Sequence, residues 1–304
     1  MTILSLCISY LLPSDIDLAL SNICNQILNF QGNIRAENHA KIQFVYSLQS
    51  EEFSLYQEVE SSILSFDFKL PVVVCYSGTK GVALSRNKAL KAASSMYIWF
   101  LDIDCLLESS ADDFIDFICD YKLPFLFLQS DKANRKDIKK IIQFAFNKPT
   151  KVSFFRILYT LKTIASAATY NIVVSKNYLS SSPWVRFDPL LGLGTYYHQS
   201  DEALFLIHLF KAMAKSKVIY FYYYPTPFLL AESKSHLVLG SNLIASLQSK
   251  GYVLARSSSF FPLTLLALPF LALTFSIKFY SALPFLTTFS AVVQGYLNAL
   301  ADQK

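Results

Sequence analysis

The chain has 304 residues, of which 53% are hydrophobic and 15% aromatic, and its formal net charge is +5. This composition excludes a disordered or fibrous protein, and the length allows one large core in one or two domains. The five cysteines show no Cys-x-x-Cys spacing, which favours reduced core residues of a cytosol-facing protein. The N-terminal apolar run lacks a basic start and a small-residue cleavage site, so we interpret it as a strand rather than a signal peptide.

Strands and helices alternate through the first hundred residues of the chain. The predicted strands are 3–12, 42–48, 71–75 and 97–101. The predicted helices are 16–30, 51–66 and 83–93. This alternation predicts an α/β fold class, with a mostly parallel sheet that helices cover on both faces.

The second half of the chain has a less regular pattern. The predicted helices are 110–119 and 200–214, and the predicted strands are 125–129, 170–174 and 218–224. A basic segment at 131–162 carries nine Lys and Arg against two Asp, which suits anionic lipid headgroups or phosphorylated substrates. A solvated helix face without a partner is the other interpretation. No nucleic-acid-binding motif accompanies the segment, so we expect no nucleic acid partner.

The last fifth of the chain is almost uncharged. Between 257 and 301 the only charged residue is Lys278, which separates the apolar stretches 260–277 and 279–300. A bilayer core needs about 20 apolar residues per helix, so each stretch is close to sufficient. Three prolines in the segment weaken a spanning helix and leave a re-entrant hairpin or interfacial helices as alternatives. We expect membrane contact, and the competing interpretation is a soluble core or a dimer contact.

An apolar run at 94–101 ends in two carboxylates, Asp102 and Asp104. Aromatic and β-branched residues favour a strand, and alternate side chains of a strand share a face, so we expect Asp102 and Asp104 to point the same way. Ligands of open α/β sheets bind beyond the carboxyl ends of the strands, and paired carboxylates suit Mg²⁺ or Mn²⁺. The alternative is that the two acids only end the strand and begin a turn.

Four blocks in order resemble family 2 glycosyltransferases of the GT-A type, particularly those of bacterial surface-polysaccharide synthesis such as O-antigen or capsule. The likeness covers about residues 3–256. The blocks are Leu-Cys-Ile-Ser-Tyr-Leu-Leu-Pro-Ser at 6–14, Gly-Val-Ala-Leu-Ser-Arg-Asn-Lys-Ala-Leu at 81–90, Phe-Leu-Asp-Ile-Asp at 100–104, and Phe-Asp-Pro through Gly-Leu-Gly to Ser-Asp-Glu-Ala-Leu-Phe-Leu at 187–206. Each block is weak alone, whereas four in the family's order are specific.

The resemblance implies a GT-A, Rossmann-like sheet at 1–256, to which the apolar pattern adds a C-terminal helical hairpin at 257–304. Its nucleotide-sugar half would end near 108 and its acceptor half near 256. The implied activity is inverting, metal-dependent transfer of a sugar from a nucleotide-sugar to a hydroxyl, of the hexosyltransferase class. We expect a lipid-linked or oligosaccharide acceptor, a Mn²⁺ or Mg²⁺ cofactor, and a location on the cytoplasmic face of the inner membrane.

The resemblance also implies roles for individual residues. Asp104 would bind the metal, and Asp102 would reach the ribose or the metal's shell. The implied donor-binding residues are Pro13, Ser14, Arg86, Asn87 and Asp102. One of Asp201 and Glu202 would be the general base that takes the acceptor proton. The competing interpretation of 200–202 is an ordinary helix start, since Ser at the N-cap and acids in the first turn stabilise any helix.

The sequence also departs from the family pattern. The second strand ends Ser-Leu-Gln-Ser at 47–50, where relatives carry an Asp pair that touches the nucleoside. Relatives often place a histidine near position 230, whereas the nearest here is His236, a candidate metal ligand with Glu232 as an alternative. His198 is a candidate acceptor contact or a surface residue. The Gln-x-x-Arg-Trp of processive synthases is absent, which predicts one sugar per acceptor.

Two other functions compete with the glycosyltransferase. A non-catalytic GT-A-like scaffold that binds a membrane or a partner enzyme is favoured by the missing Asp pair and the displaced histidine, and opposed by the retained acids. A nucleotidyltransferase would open with a Gly-rich phosphate loop that carries Arg and Lys, whereas this chain has Pro-Ser-Asp at 13–15.

Overall fold

The computed structural model describes residues 2–78, 80–120, 124–129, 139–142, 170, 172–195, 200–216, 220–225, 229–231, 241–257 and 285–301. The strands are β1 (Leu4–Leu11), β2 (Ile42–Gln49), β3 (Val72–Ser77), β4 (Tyr97–Leu101), β5 (Cys105–Leu107), β6 (Phe125–Gln129), β7 (Lys139–Ile142), β8 (Ile172–Ser175), β9 (Tyr220–Pro225) and β10 (Leu229–Ala231). The helices are α1 (Ile16–Gly32), α2 (Ala36–His39), α3 (Phe53–Ser65), α4 (Val82–Ala92), α5 (Asp112–Asp120), α6 (Lys176–Ser180), α7 (Asp201–Lys215), α8 (Ser241–Ser257) and α9 (Phe285–Ala301).

Eight of the described strands form one sheet in the order β3-β2-β1-β4-β8-β6-β9-β7. Its first four strands are all parallel, as expected for strands that alternate with helices. Strand β8 runs antiparallel between β4 and β6, and β7 runs antiparallel to β9, while β6 and β9 are parallel. Strands β5 and β10 form a separate antiparallel pair. The α/β class is thus as the sequence predicted, and its mostly parallel sheet is parallel from β3 to β4, whereas β7 and β8 make the second half mixed.

The central strands bury both faces. In β4, Trp99 faces one core with α1, α3 and α5, whereas Phe100 faces a second core with α4, α6 and α7. Because neighbouring side chains of a strand point to opposite faces, both sides of a buried strand are apolar, which explains the unbroken apolar run of β4. Phe100 packs edge-on against Phe187 and Phe205, with ring centroids 5.0 and 5.6 Å away. These contacts connect the sheet to α7.

The two C-terminal helices pack against each other at two glycines. A Cβ added to Gly251 of α8 would lie 1.8 Å from the carbonyl oxygen of Val292, and one added to Gly295 of α9 would lie 1.9 Å from that of Gln248. Only glycine allows backbones to approach this closely. Helix α9 therefore contacts α8, which lies within the region that the resemblance assigned to the glycosyltransferase domain.

The predicted apolar hairpin lies largely outside the described residues, because 258–284 are not among them. None of the helices in the described ranges combines the length and the apolar character needed to cross a membrane. Of the basic segment at 131–162, the structure describes only β7, which pairs with β9 as a strand.

Candidate functional site

The parallel register of β1, β2 and β4 brings their carboxyl ends to one edge of the sheet. Half-buried Pro13 and exposed Ser14 follow β1, and Asp15 caps α1 by accepting a hydrogen bond from the Leu18 amide at 3.1 Å. At the end of β2, the Gln49 amide donates to Ser9 Oγ at 3.0 Å and accepts from the Gly81 amide at 2.8 Å. Gln49 thus ties β1 to the start of α4.

The two acids of the Asp-x-Asp pair lie in a turn, because β4 ends at Leu101. The Cys105 amide closes this turn by donating to the Asp102 carbonyl at 3.1 Å, and the buried Gln26 amide donates to the same carbonyl at 2.9 Å. The alternation of a continuing strand therefore does not set the direction of these side chains, which corrects that part of the sequence interpretation. Asp104 is exposed, and the Asp102 side chain retains 46% of its accessible area.

Arg86 is the centre of the candidate site. Its buried guanidinium on α4 contacts the Asp201 carboxylate through Nη1, lies 3.0 Å from Glu202 Oε1, and reaches Asp102 Oδ1 from Nη2 at 3.4 Å. The guanidinium carbon also lies 5.4 Å from the centroid of the Phe187 ring. One cation thus gathers acids from two of the four sequence blocks, the Asp-x-Asp turn and the start of α7.

Three carboxylates around one guanidinium leave a net negative site, and this changes the ionisation of its members. Burial lowers the pKa of Arg86, but Asp201, Glu202 and Asp102 together hold it above its ordinary value. Burial and the neighbouring Glu202 raise the pKa of Asp201 to about 8, although Arg86 opposes this shift. Partial desolvation likewise raises the pKa of Asp102 against the effect of Arg86. The cluster therefore has excess negative charge that a cation would neutralise.

The two candidate bases differ in their exposure. The Asp201 side chain is 4% exposed and the Glu202 side chain is 18% exposed. An acceptor hydroxyl must come within hydrogen-bond distance of the base, so the more accessible carboxylate is the better placed of the two. Asp201 is better placed to hold Arg86.

Asn87 faces the protein rather than the sheet edge. Its side-chain amide donates to the Phe187 carbonyl at 2.8 Å and accepts from the Phe187 amide at 2.9 Å. These two bonds pair the second sequence block with the fourth and orient the Phe187 ring below Arg86. The expectation that Asn87 touches the donor stays a prediction, and the structure gives this residue a positioning contact.

The Gly-x-Gly loop closes the site on one side. Gly192 has a φ of +95°, and a Cβ there would lie 2.5 Å from Val82 Cγ1 and 3.1 Å from the Asp201 carboxyl carbon. The Leu193 carbonyl accepts from the Val82 amide at 3.0 Å, so the loop also covers the start of α4. Glycine is required at 192 both for its left-handed backbone and for the space beside Asp201.

A contact from α8 and the backbone conformation of Ser200 also shape the site, and the sequence indicated neither of them. Tyr252 of α8 donates to Asp188 Oδ2 at 3.1 Å, and Ser200, with a φ of +74°, directly precedes Asp201. Ser200 is therefore not the extended N-cap that the ordinary helix-start interpretation requires. His236, Glu232 and His198 lie outside the described residues, and their predicted roles stay predictions.

The chemistry of Asp102 and Asp104 fits a divalent cation. Magnesium and manganese are commonly held by one or two carboxylates together with substrate phosphates, so a complete protein cage is not needed. Asp104 is exposed and the Asp102 side chain is partly exposed, and both acids belong to a part of the site where carboxylates outnumber the one guanidinium. No group of three His, Cys, Asp or Glu side chains with metal-site spacing occurs among the described residues.

No family model matches the sequence, and no curated protein matches it. Solved structures do match. The chain is similar to residues 1–349 of TarS from S. aureus in complex with UDP-GlcNAc, with a TM-score of 0.51 and 16% identity over 99% of this chain and 80% of that one. The match to the same TarS fragment in complex with UDP has a TM-score of 0.47 and 14% identity. It covers 83% of this chain and 65% of that one.

A third match is the mannosyltransferase PcManGT from Pyrobaculum calidifontis in complex with GDP-Man and Mn²⁺. Its TM-score is 0.47, with 10% identity over 99% of this chain and 88% of that one. The likeness to TarS with UDP-GlcNAc shows that the chain shares the fold of a protein that binds a nucleotide-sugar. It supports the GT-A fold that the sequence resemblance implied.

Proposed function

We propose that this protein is a GT-A glycosyltransferase, in the likeness of family 2, which transfers a sugar from a nucleotide-sugar to a hydroxyl with inversion at the anomeric carbon. One observation carries the proposal. Arg86 gathers Asp102, Asp201 and Glu202 into one cluster at the carboxyl edge of the sheet, although these residues are widely separated in sequence. That edge is where open α/β sheets bind their ligands.

Glu202 is assigned as the general base. As the acceptor oxygen attacks the anomeric carbon, Glu202 takes the proton of the acceptor hydroxyl while the bond between that carbon and the diphosphate oxygen breaks. Arg86, held by Asp201, keeps the Glu202 carboxylate in place through its 3.0 Å contact. The buried Asp201 acts on Arg86 and does not contact the acceptor.

A divalent cation would be held by Asp104 and Asp102 in the turn after β4. When bound, such a cation supplies the positive charge that stabilises the leaving diphosphate. The mannosyltransferase solved with GDP-Man and Mn²⁺ is an example of a nucleotide-sugar bound together with this metal. Pro13 and Ser14, after β1 at the same sheet edge, are proposed to flank the nucleoside.

The acceptor and the location belong to the same proposal. We assign a lipid-linked or oligosaccharide acceptor in surface-polysaccharide synthesis of the O-antigen or capsule type, with the protein held on the cytoplasmic face of the inner membrane by 257–304. The support is the apolar composition of 260–277 and 279–300, together with the basic segment at 131–162.

The proposal is tested by incubating the protein with UDP- and GDP-sugars and Mn²⁺ and following nucleoside diphosphate release, with and without a sugar acceptor. Release is expected with one donor. Glu202→Gln should lower turnover by about 10²–10⁴-fold, the range for a lost general base. The matched control is Glu108→Gln, which changes an exposed acid close to the Asp-x-Asp turn.

The scaffold interpretation makes the opposite prediction for this assay. A scaffold would release no nucleoside diphosphate from any donor, and Glu202→Gln would change nothing. An active wild type whose Glu202→Gln variant keeps its full rate would retain the enzyme and reject Glu202 as the base.

A further inference from the structure

Ser200 has an unusual backbone at a critical position. Its φ of +74° lies in the left-handed region, which residues other than glycine rarely adopt, and the next residue is Asp201. The Ser200 carbonyl accepts the first helical hydrogen bond of α7, from the Leu204 amide at 3.2 Å. The conformation of Ser200 therefore sets the direction in which α7 begins, and with it the positions of Asp201 and Glu202.

Helix α8 supplies the contacts that hold Ser200. Lys250 Nζ donates to Ser200 Oγ at 3.1 Å, and the hydroxyls of Ser200 and Ser249 lie 3.3 Å apart. Ser249 is fully buried and Ser200 nearly so. A strained backbone persists when its surroundings fix it, and here two neighbouring side chains of one helix do so.

The same helix also fixes the other side of Asp201. Tyr252 donates to Asp188 Oδ2 at 3.1 Å, and Arg256 Nη2 lies 3.8 Å from the same oxygen. Asp188 in turn accepts from the Leu190 amide at 3.0 Å, in the loop that leads to Gly192 beside the Asp201 carboxyl. Helix α8 thus contacts both segments that enclose the buried acid.

We propose that Ser249 and Lys250 are positioning residues of the catalytic site. By holding Ser200 in its left-handed conformation, they aim Asp201 at Arg86 and leave Glu202 open to the acceptor. This role rests on the proposed transferase function. It means that α8 supports the position of the catalytic residues.

The kinetic test compares Lys250→Met with Lys250→Arg, Ser200→Ala and the exposed-lysine control Lys91→Met. Lys250→Met should lower kcat by about tenfold to hundredfold and leave the KM for the donor within twofold, because a small displacement of the base affects the reaction more than donor binding. Lys250→Arg should restore most of the rate, since arginine keeps a donor for the hydroxyl. Adding Ser200→Ala to Lys250→Met should cause little further loss, because both changes remove one interaction.

A structural readout, which needs no sugar transfer, is amide hydrogen exchange at Leu204 in the full chain. Exchange should be faster in Lys250→Met and Ser200→Ala than in the wild type and in Lys91→Met. If the wild type transfers no sugar while exchange still responds, the proposed function is wrong and the structural link stands. Unchanged exchange, or equal loss of kcat and donor affinity, would overturn the positioning role. If Lys250→Met does not fold, Ser249→Ala replaces it with the same expected results.

Discussion

The Arg86 guanidinium and the Asp201 carboxylate form a buried ion pair that joins α4 to α7. The two residues lie 115 positions apart in the sequence. Because Arg86 also contacts Glu202 and Asp102, this pair determines where the candidate base stands relative to the Asp-x-Asp turn. The geometry of the site therefore depends on a charged interaction inside the protein rather than on side chains at its surface.

Replacing Arg86 by methionine should destabilise the protein strongly. The substitution removes the one cation that Asp102, Asp201 and Glu202 share, and removing the partner of buried charge in this way costs about 3–5 kcal/mol. Urea unfolding at neutral pH measures the change. The control Lys91→Met removes an exposed charge from the same helix and should change stability by less than about 0.5 kcal/mol. Equal stability of the two variants would show that the buried pair is not formed.

The stability contributed by Asp201 should fall as pH rises. Its folded pKa of about 8 lies above the unfolded value of 3.8, so between these values the folded state binds the proton more tightly. The free energy of unfolding then decreases with pH, by up to about 1.4 kcal/mol per pH unit. Asp201→Asn removes this slope. The free energy of unfolding of the variant minus that of the wild type should therefore increase from pH 4 to pH 8. A constant difference across that range would contradict the raised pKa.

His208 on α7 should make the protein less stable as the pH falls, which is the opposite of the effect of Asp201. Burial, together with Lys211 and Arg256, lowers its pKa to about 4, and its Nδ1 is buried without a hydrogen-bond partner in the described structure. Between pH 6.5 and 4 the unfolded chain binds more protons, so acidification through this range destabilises the folded protein. When the pH is lowered to 5, His208→Gln should lose less thermal stability than the wild type, as measured by thermal unfolding. The same loss in both proteins would indicate that His208 titrates normally.

Gly192→Ala should impair both stability and turnover. The new Cβ would meet Val82 Cγ1 at 2.5 Å and crowd Asp201, and the left-handed backbone is strained for alanine at about 1–3 kcal/mol. Gly32→Ala is the matched control, because nothing lies within 4 Å of a Cβ at the end of α1. Chemical unfolding and nucleoside diphosphate release measure the two effects. Equal stability and equal turnover of the two variants would show that this loop does not pack against Asp201.

Much of the sheet could be predicted from the sequence because its strands are unbroken apolar runs. The predicted strands at 97–101 and 125–129 coincide with β4 and β6, since burial on both faces leaves a continuous hydrophobic signal. The turn after β4 was the weaker prediction, because two acids following a strand are compatible with either continuation or a turn. Backbone contacts from Gln26 decide between them, and these depend on tertiary structure.

The arrangement around Arg86 could be predicted only through the family resemblance. No local pattern indicates that an arginine at the start of α4 will meet acids at 102, 201 and 202, since the meeting depends on how α4 and α7 pack on one face of the sheet. The positioning contacts of α8 were also missed. An apolar C-terminal region has the same composition whether it packs on protein or on lipid, so the sequence did not indicate that α8 and α9 meet at Gly251 and Gly295.

Divalent-dependent binding of a nucleoside diphosphate at the turn after β4 is measured most directly by calorimetry. UDP and GDP are titrated into wild type, Asp104→Asn and Glu108→Gln, each with Mn²⁺ and with a chelator. We expect wild type and Glu108→Gln to bind one of the nucleotides only with the metal, and Asp104→Asn to lose this binding, because a neutral amide cannot replace the carboxylate on the cation. Metal-dependent affinity that is unchanged in Asp104→Asn would contradict the site.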